Sequence, residues 1–188
     1  MACFNSTVLE RSLAVRIGIP LYANDPALVD LGTKSGCREI FREAGIVFPD
    51  GYERLHTSEE IAGALAALKR KEPDLRRAVV KLNDGFSGEG NSLFYYDGIE
   101  GRSAHDLQTQ IHARLHTLRF VAPQEHWDSF RAKYKEMGGV VETFVEGENK
   151  QSPSSQCRAN AAGRAQPIST HDQVLGGEGG QSFQGCTS

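Results

Sequence analysis

Lys81 and the three glycines that follow it, Gly85, Gly88 and Gly90, carry the clearest chemical potential in this chain. The β-branched run Ala78-Val79-Val80-Lys81 precedes them and the aromatic run Leu93-Phe94-Tyr95-Tyr96 follows, so 78–97 reads as strand, glycine loop, strand. Glycine reaches φ > 0 and has no Cβ, so successive backbone N–H groups in such a loop can close on an anion. A lysine on the entering strand adds a fixed positive charge. A phosphate-bearing ligand is one reading; an ordinary tight hairpin with an exposed lysine is the other.

Other residues with chemical potential are scattered. Lys34 follows the helix cap Thr33, where the helix dipole is already positive; it is either a solvated surface group or part of an anion site at the helix start. Glu142 and Glu146 sit in the β-rich segment 140–147, and a carboxylate buried there without a partner costs several kcal/mol, so each must be exposed or matched to a donor. His112 and His116 share a helix face, with His105 nearby, but no carboxylate or cysteine stands at supporting positions, so no metal site is expected. His171, Asp172 and Gln173 follow a strand and are candidates for acid-base work or for organising a turn. Cys3, Cys37, Cys157 and Cys186 lack any C-x-x-C pairing and read as reduced, mostly buried thiols.

The elements that must position these groups form an α+β pattern. A helix over 5–16 is expected, capped by Asn5 or Ser6 and stopped by Gly18. A second runs from Lys34 to Ala44, with Ile40, Phe41 and Ala44 on one face, Lys34, Arg38 and Arg42 on another, and Gly45 after it. Residues 45–52 read as a short strand ended by Pro49-Asp50-Gly51. Further helices are expected from Ser58 to Lys71, over 106–118 and after Pro123, and a hairpin pairs 155–159 with 166–170. The glycine-rich tail offers no closing element, and the chain resembles a piece cut at both ends. The 188 residues, 39% hydrophobic, can bury a core. A formal charge of -3 gives no overall attraction to nucleic acid or anionic lipid, and no run is long and apolar enough for a membrane span, so a cytoplasmic location is expected.

The glycine loop lacks G-K-[ST] and leads into a strand rather than a helix, which excludes Walker A and a Rossmann turn. No H-R-D or D-F-G segment supports a protein kinase. Four blocks in order, Leu31-Gly-Thr-Lys-Ser-Gly-Cys-Arg38, Lys81-Leu-Asn-Asp-Gly-Phe-Ser-Gly-Glu-Gly-Asn91, Ser152-Pro-Ser154 and Ser169-Thr-His-Asp-Gln-Val-Leu-Gly-Gly177, resemble the ATP-grasp superfamily, most closely the ATP-grasp portion of pheganomycin-type peptide ligases.

That resemblance implies two α+β subdomains with a nucleotide cleft between them: 1–32 as the end of a preceding domain, 33–139 as the N-terminal subdomain with lid loop 84–91, and 140–188 as the start of an incomplete C-terminal subdomain. It directs Lys34 and Lys81 at the ATP phosphates and places Ser87, Gly88, Gly90 and Asn91 in the lid. Glu142 would accept from the adenine amine, the Phe144-Val145 backbone would meet the ring edge, and Glu148, or alternatively Glu146, would bind the ribose. His171, Asp172 and Gln173 would face the cleft. The implied chemistry is formation of an acylphosphate and its capture by an amine, joining a small-molecule carboxylate to an amine with ATP and Mg²⁺. The Mg²⁺ ligands would lie beyond residue 188, so this chain alone is expected to show no turnover. The alternative is a non-catalytic nucleotide-binding module or inactive fragment.

Overall fold

The computed structural model describes all residues except 4, 86, 87, 102, 148–150, 161, 178, 179, 181 and 188. The chain forms two units, Met1–Phe48 and Pro49–Ser188.

In the first unit, helix α1 (Val8–Ile17) begins at Thr7, slightly later than Asn5 or Ser6. The Thr7 side chain accepts the Leu9 N–H, and the Glu10 carboxylate accepts the Thr7 N–H at 2.8 Å, closing a capping box that neither earlier residue offers. Gly18, in the left-handed region at φ 68°, ends the helix as expected. A 3-10 turn, Pro26–Gly32, leads into Thr33, whose hydroxyl accepts the Gly36 N–H at 3.0 Å and starts α2 (Lys34–Glu43). The buried side of α2 is Ser35, Gly36 and Arg38, while Ile40 and Phe41 are exposed. Phe48 explains the inversion: the buried Arg38 guanidinium lies over its ring at 4.8 Å, so an arginine rather than an aliphatic residue faces inward.

The second unit holds a five-stranded antiparallel sheet in the order β1-β5-β2-β3-β4. Its strands are β1 (Gly51–Leu55), β2 (Arg77–Leu82), β3 (Asn91–Tyr95), β4 (Arg119–Phe120) and β5 (Gly139–Thr143). The strand expected over 45–52 is displaced, because pairing with β5 starts only where Gly51 meets Glu142. Pro49-Asp50-Gly51 therefore opens β1 instead of ending it, consistent with proline's missing donor. Arg54, at φ 61°, forms the bulge between Tyr52 and Leu55.

Helices α3 (Ser58–Lys71), α4 (Ala104–Arg114) and α5 (Trp127–Met137) supply the core on one side of this sheet. Thr57 and Glu60 form the capping box of α3, whose last turn is basic, a charge order that suits the helix dipole. Ile61, Leu65 and Leu68 of α3, Ile111 of α4, and Phe130 and Tyr134 of α5 bury against Ala78, Val80 and Leu82 of β2, Phe94 of β3 and Val141 of β5. Each buried aliphatic or aromatic side chain contributes about 1.5–3 kcal/mol relative to exposure, which fixes the strand register and hence which residues face the other way.

The expected hairpin extends further than its sequence signal. β6 (Pro153–Ala159) pairs with β7 (Ala165–Gly176), and β8 (Ser182–Thr187) adds a third strand along the second half of β7. The glycine-rich tail thus carries a strand, preceded by Gly177 and Gly180 at positive φ. None of the four cysteines is buried: Cys3 and Cys37 are half-buried, Cys157 and Cys186 exposed, and all are free thiols. Among the described residues no helix is long and apolar enough to cross a membrane.

Candidate functional site

The strand period of two decides which side chains share the face opposite the helical core. On β2 these are Arg77, Val79 and Lys81; on β3, Asn91, Leu93 and Tyr95; beyond them, Glu142 on β5 and Phe144 just after it. Val79, Leu93 and Phe144 form a small buried apolar cluster with Tyr95 packed against it. Charge flanks the cluster on both sides. Lys81 Nζ donates to the Glu142 carboxylate, in a pair whose side chains are 21% and 12% exposed. At the other end, the Arg77 guanidinium lies over the Phe144 ring at 3.9 Å and donates to both carboxylate oxygens of Glu146, at 2.9 and 2.8 Å. That bond raises the Arg77 pKa further above its ordinary value, against the opposing effect of burial. Arg119 stacks on Tyr95 at 4.5 Å.

The glycine loop closes the β2–β3 hairpin at the pair Lys81↔Asn91. Leu82 N–H donates to the Gly90 carbonyl and Asn91 N–H to the Gly88 carbonyl, both at 2.9 Å, while Gly88 adopts φ 88°. The buried Asn83 anchors the loop's entry, its backbone N–H donating to Gly138 and its Nδ2 to Met137, each at 2.9 Å. Strand, loop and strand therefore stand as read; Ser87 of the expected lid lies outside the described residues.

The other expected site residues distribute as follows. Lys34 is the first residue of α2 in the first unit and is half-buried. Glu142 has the donor that a strand carboxylate requires, and it is Lys81. Val145 is exposed, Glu146 is engaged by Arg77, and Glu148 lies outside the described residues. On β7 the alternation separates the trio: His171 and Gln173 are half-buried on one face, and Asp172 is exposed on the other. Ser169 Oγ lies 2.8 Å from His171 Nε2, and Ser152 Oγ donates to Gln173 Oε1 at 2.9 Å. His105, His112 and His116 are exposed, and no group of three or more His, Cys, Asp or Glu side chains among the described residues could hold a metal ion.

Arg77 and Tyr95 did not emerge from motif reading. The signal that finds them is period two: Arg77 is four residues before Lys81, hence on its face, and Tyr95 is opposite Arg77 across the β2–β3 ladder.

Comparison with known proteins agrees with this architecture. Residues 26–116 match the family described as IQCH-like, ATP-grasp. The L-propargylglycine--L-glutamate ligase of Streptantibioticus cattleyicolor is 32% identical over 187 residues, covering 97% of this chain and 36% of the ligase. IQ motif-containing protein H of Danio rerio is 25% identical over 205 residues, covering 95% of this chain and 19% of that protein. The crystal structure of D-alanyl-alanine synthetase A from Vibrio cholerae superposes with a TM-score of 0.50 at 13% identity, over 89% of this chain and 41% of the synthetase, a likeness of fold. The chain thus spans about a third or less of the curated relatives' length. The order of motifs, the hairpin that carries Lys81 and these likenesses agree: the chain is related to ATP-grasp proteins and carries part of the ATP-grasp fold.

Proposed function

We propose that the chain binds ATP on the β2–β3–β5 face and is the nucleotide-binding part of an ATP-dependent carboxylate-amine ligase. The observation that carries this reading is a lysine held beside a glycine hairpin at one end of a buried apolar cluster, with the exit of β5 at the other end. The donor set suits the ligand. Lys81 supplies positive charge for phosphates, and Gly88, Gly90 and Asn91 supply loop backbone and polar groups to cover them. The buried cluster of Val79, Leu93 and Phe144 backs the surface from beneath, the Phe144-Val145 backbone is assigned to the ring edge of the base, and Glu142 to its amine. Glu148 is assigned to the ribose hydroxyls, with Glu146, which Arg77 engages, as the alternative.

The chemistry that follows is attack of a small-molecule carboxylate on the γ-phosphate to give an acylphosphate and ADP, then attack of an amine to give an amide and phosphate. Lys81 would stabilise charge on the transferring phosphoryl group. His171 and Gln173, on one face of β7, are assigned to the cleft, and Asp172 faces the other way. Among the described residues no group of three or more His, Cys, Asp or Glu side chains is placed to hold Mg²⁺.

Titration calorimetry of the purified chain with ATP tests the binding reading, with a loss of about 10-fold or more in affinity expected for Lys81→Ala. Unchanged affinity in that variant overturns the assignment. ADP release that requires both an amine and a carboxylate separates a ligase from a module that binds nucleotide without turning it over.

A further inference from the structure

The ladder between β2 and β5 ends at Ala78↔Thr143, so 144–147 leaves the sheet without strand pairing. This is the segment that meets the base in the ATP-binding reading. Arg77, one residue outside the last pair, reaches it twice. Its guanidinium covers the ring of Phe144, which is 5% exposed, and its Nε and Nη2 form a two-pronged bond to Glu146. The stack sets the distance and tilt of the segment relative to β2, and the fork sets its direction. Arg76 adds a weaker approach to the same carboxylate at 3.6 Å, from a side chain that is 76% exposed. On the other flank, Thr143 N–H donates to the Asp50 carbonyl at 2.8 Å, so the strand is tied to its neighbour up to the point where Arg77 takes over.

We infer that Arg77 is a positioning residue that fixes 144–147 as the template for the base end of the nucleotide, an inference that rests on the ATP-binding reading. Arg77 acts through Phe144 and Glu146. Lysine at this position keeps the charge but has neither the fork nor the flat surface.

The test uses the whole chain with Arg77→Gln and Arg77→Lys, two measurements, and ATP beside inorganic tripolyphosphate. Backbone order parameters from ¹⁵N relaxation should fall at 145–147 in both variants, while Val80 and Val141 keep their wild-type values. ATP affinity should fall by about 10-fold with tripolyphosphate affinity unchanged, because the phosphate-facing Lys81 is untouched. Wild-type order parameters at 145–147 in both variants overturn the inference, as does equal weakening of ATP and tripolyphosphate. If the wild-type chain binds neither ligand, the ATP-binding reading fails, and with it the template role, even where the order parameters show that Arg77 holds the segment.

Discussion

Lys81 and Glu142 are paired across β2 and β5 two residues out of register: Lys81 stands opposite Val140 and Val79 opposite Glu142, so the ion pair is diagonal on the face away from the helices. Both side chains are mostly shielded, at 21% and 12% exposed. Removing one charge leaves the other poorly solvated, whereas removing both leaves an apolar contact. Lys81→Met should therefore destabilise the chain by about 1–3 kcal/mol, below the 3–5 kcal/mol of a fully buried pair because water still reaches both groups. Lys81→Met combined with Glu142→Leu should recover most of that loss in urea unfolding. Simple additivity of the single changes would contradict the coupling.

Gly36 and Gly32 stand four residues apart but differ in what surrounds them. A Cβ at Gly36 would fall well inside van der Waals contact of the Asp30 carbonyl oxygen and the Leu31 backbone, whereas one at Gly32 would meet nothing within 4 Å. The 3-10 turn packs onto α2 through that glycine. Gly36→Ala should lower stability by about 2 kcal/mol or more, and Gly32→Ala should stay within about 0.5 kcal/mol of wild type. Thermal melts of the two variants, followed by circular dichroism, distinguish them directly.

Two carboxylates make stability depend on acid pH. Burial pushes the Glu125 carboxyl up, but bonds from Lys133 at 2.6 Å, from Ser129 and from the His126 N–H together outweigh it, and its pKa is lowered. Glu60 is lowered by the N–H groups of His56 at 2.6 Å and Thr57 at 2.9 Å. A carboxyl whose folded pKa lies below its unfolded value of about 4.3 contributes fully above that value and loses the contribution as pH falls through the folded pKa. Glu125→Gln should thus cost about 1 kcal/mol at pH 7. Glu125→Gln and Glu60→Gln should both approach wild-type stability as the pH drops below about 3. Parallel pH–stability curves for wild type and variants would show that neither bond contributes.

Legibility followed the length scale of the forces. Local chemistry is readable: Thr33 with its helix, the helix from Ser58 to Lys71, Gly18 as a stop, and Lys81 entering a glycine hairpin all depend on neighbours within a few residues. What failed depended on distant partners. Residues 45–52 look extended by propensity, yet β1 starts where β5 can pair with it. Arg38 faces inward because Phe48 receives it, and Ile40 faces out, which no period of four within α2 reveals. β8 was missed because its sequence is glycine-interrupted and it is defined by the free edge of β7. At the candidate site, motif matching found Lys81 and Glu142 but gave no hint that they meet. Arg77 was within reach of strand alternation alone, had β2 been read for both of its faces.

The same alternation bears on the His171-Asp172-Gln173 trio. Three consecutive strand residues cannot serve one surface: His171 and Gln173 are half-buried beside Ser169 and Ser152, and Asp172 points the opposite way into solvent. Gln173 is doubly tied to Ser152, through its side chain and through its N–H to the Ser152 carbonyl at 3.0 Å, so its amide is held in a fixed orientation with one donor group left to present. Where this face meets the ligands of the proposed reaction, His171→Ala and Gln173→Ala should each weaken ATP binding about 3–10-fold, the cost of about one hydrogen bond. Asp172→Ala should stay within about twofold and within about 0.5 kcal/mol in stability, as a solvated side chain does. Calorimetry on the three variants reads this out, and a loss confined to Asp172→Ala would move the functional surface to the other side of β7.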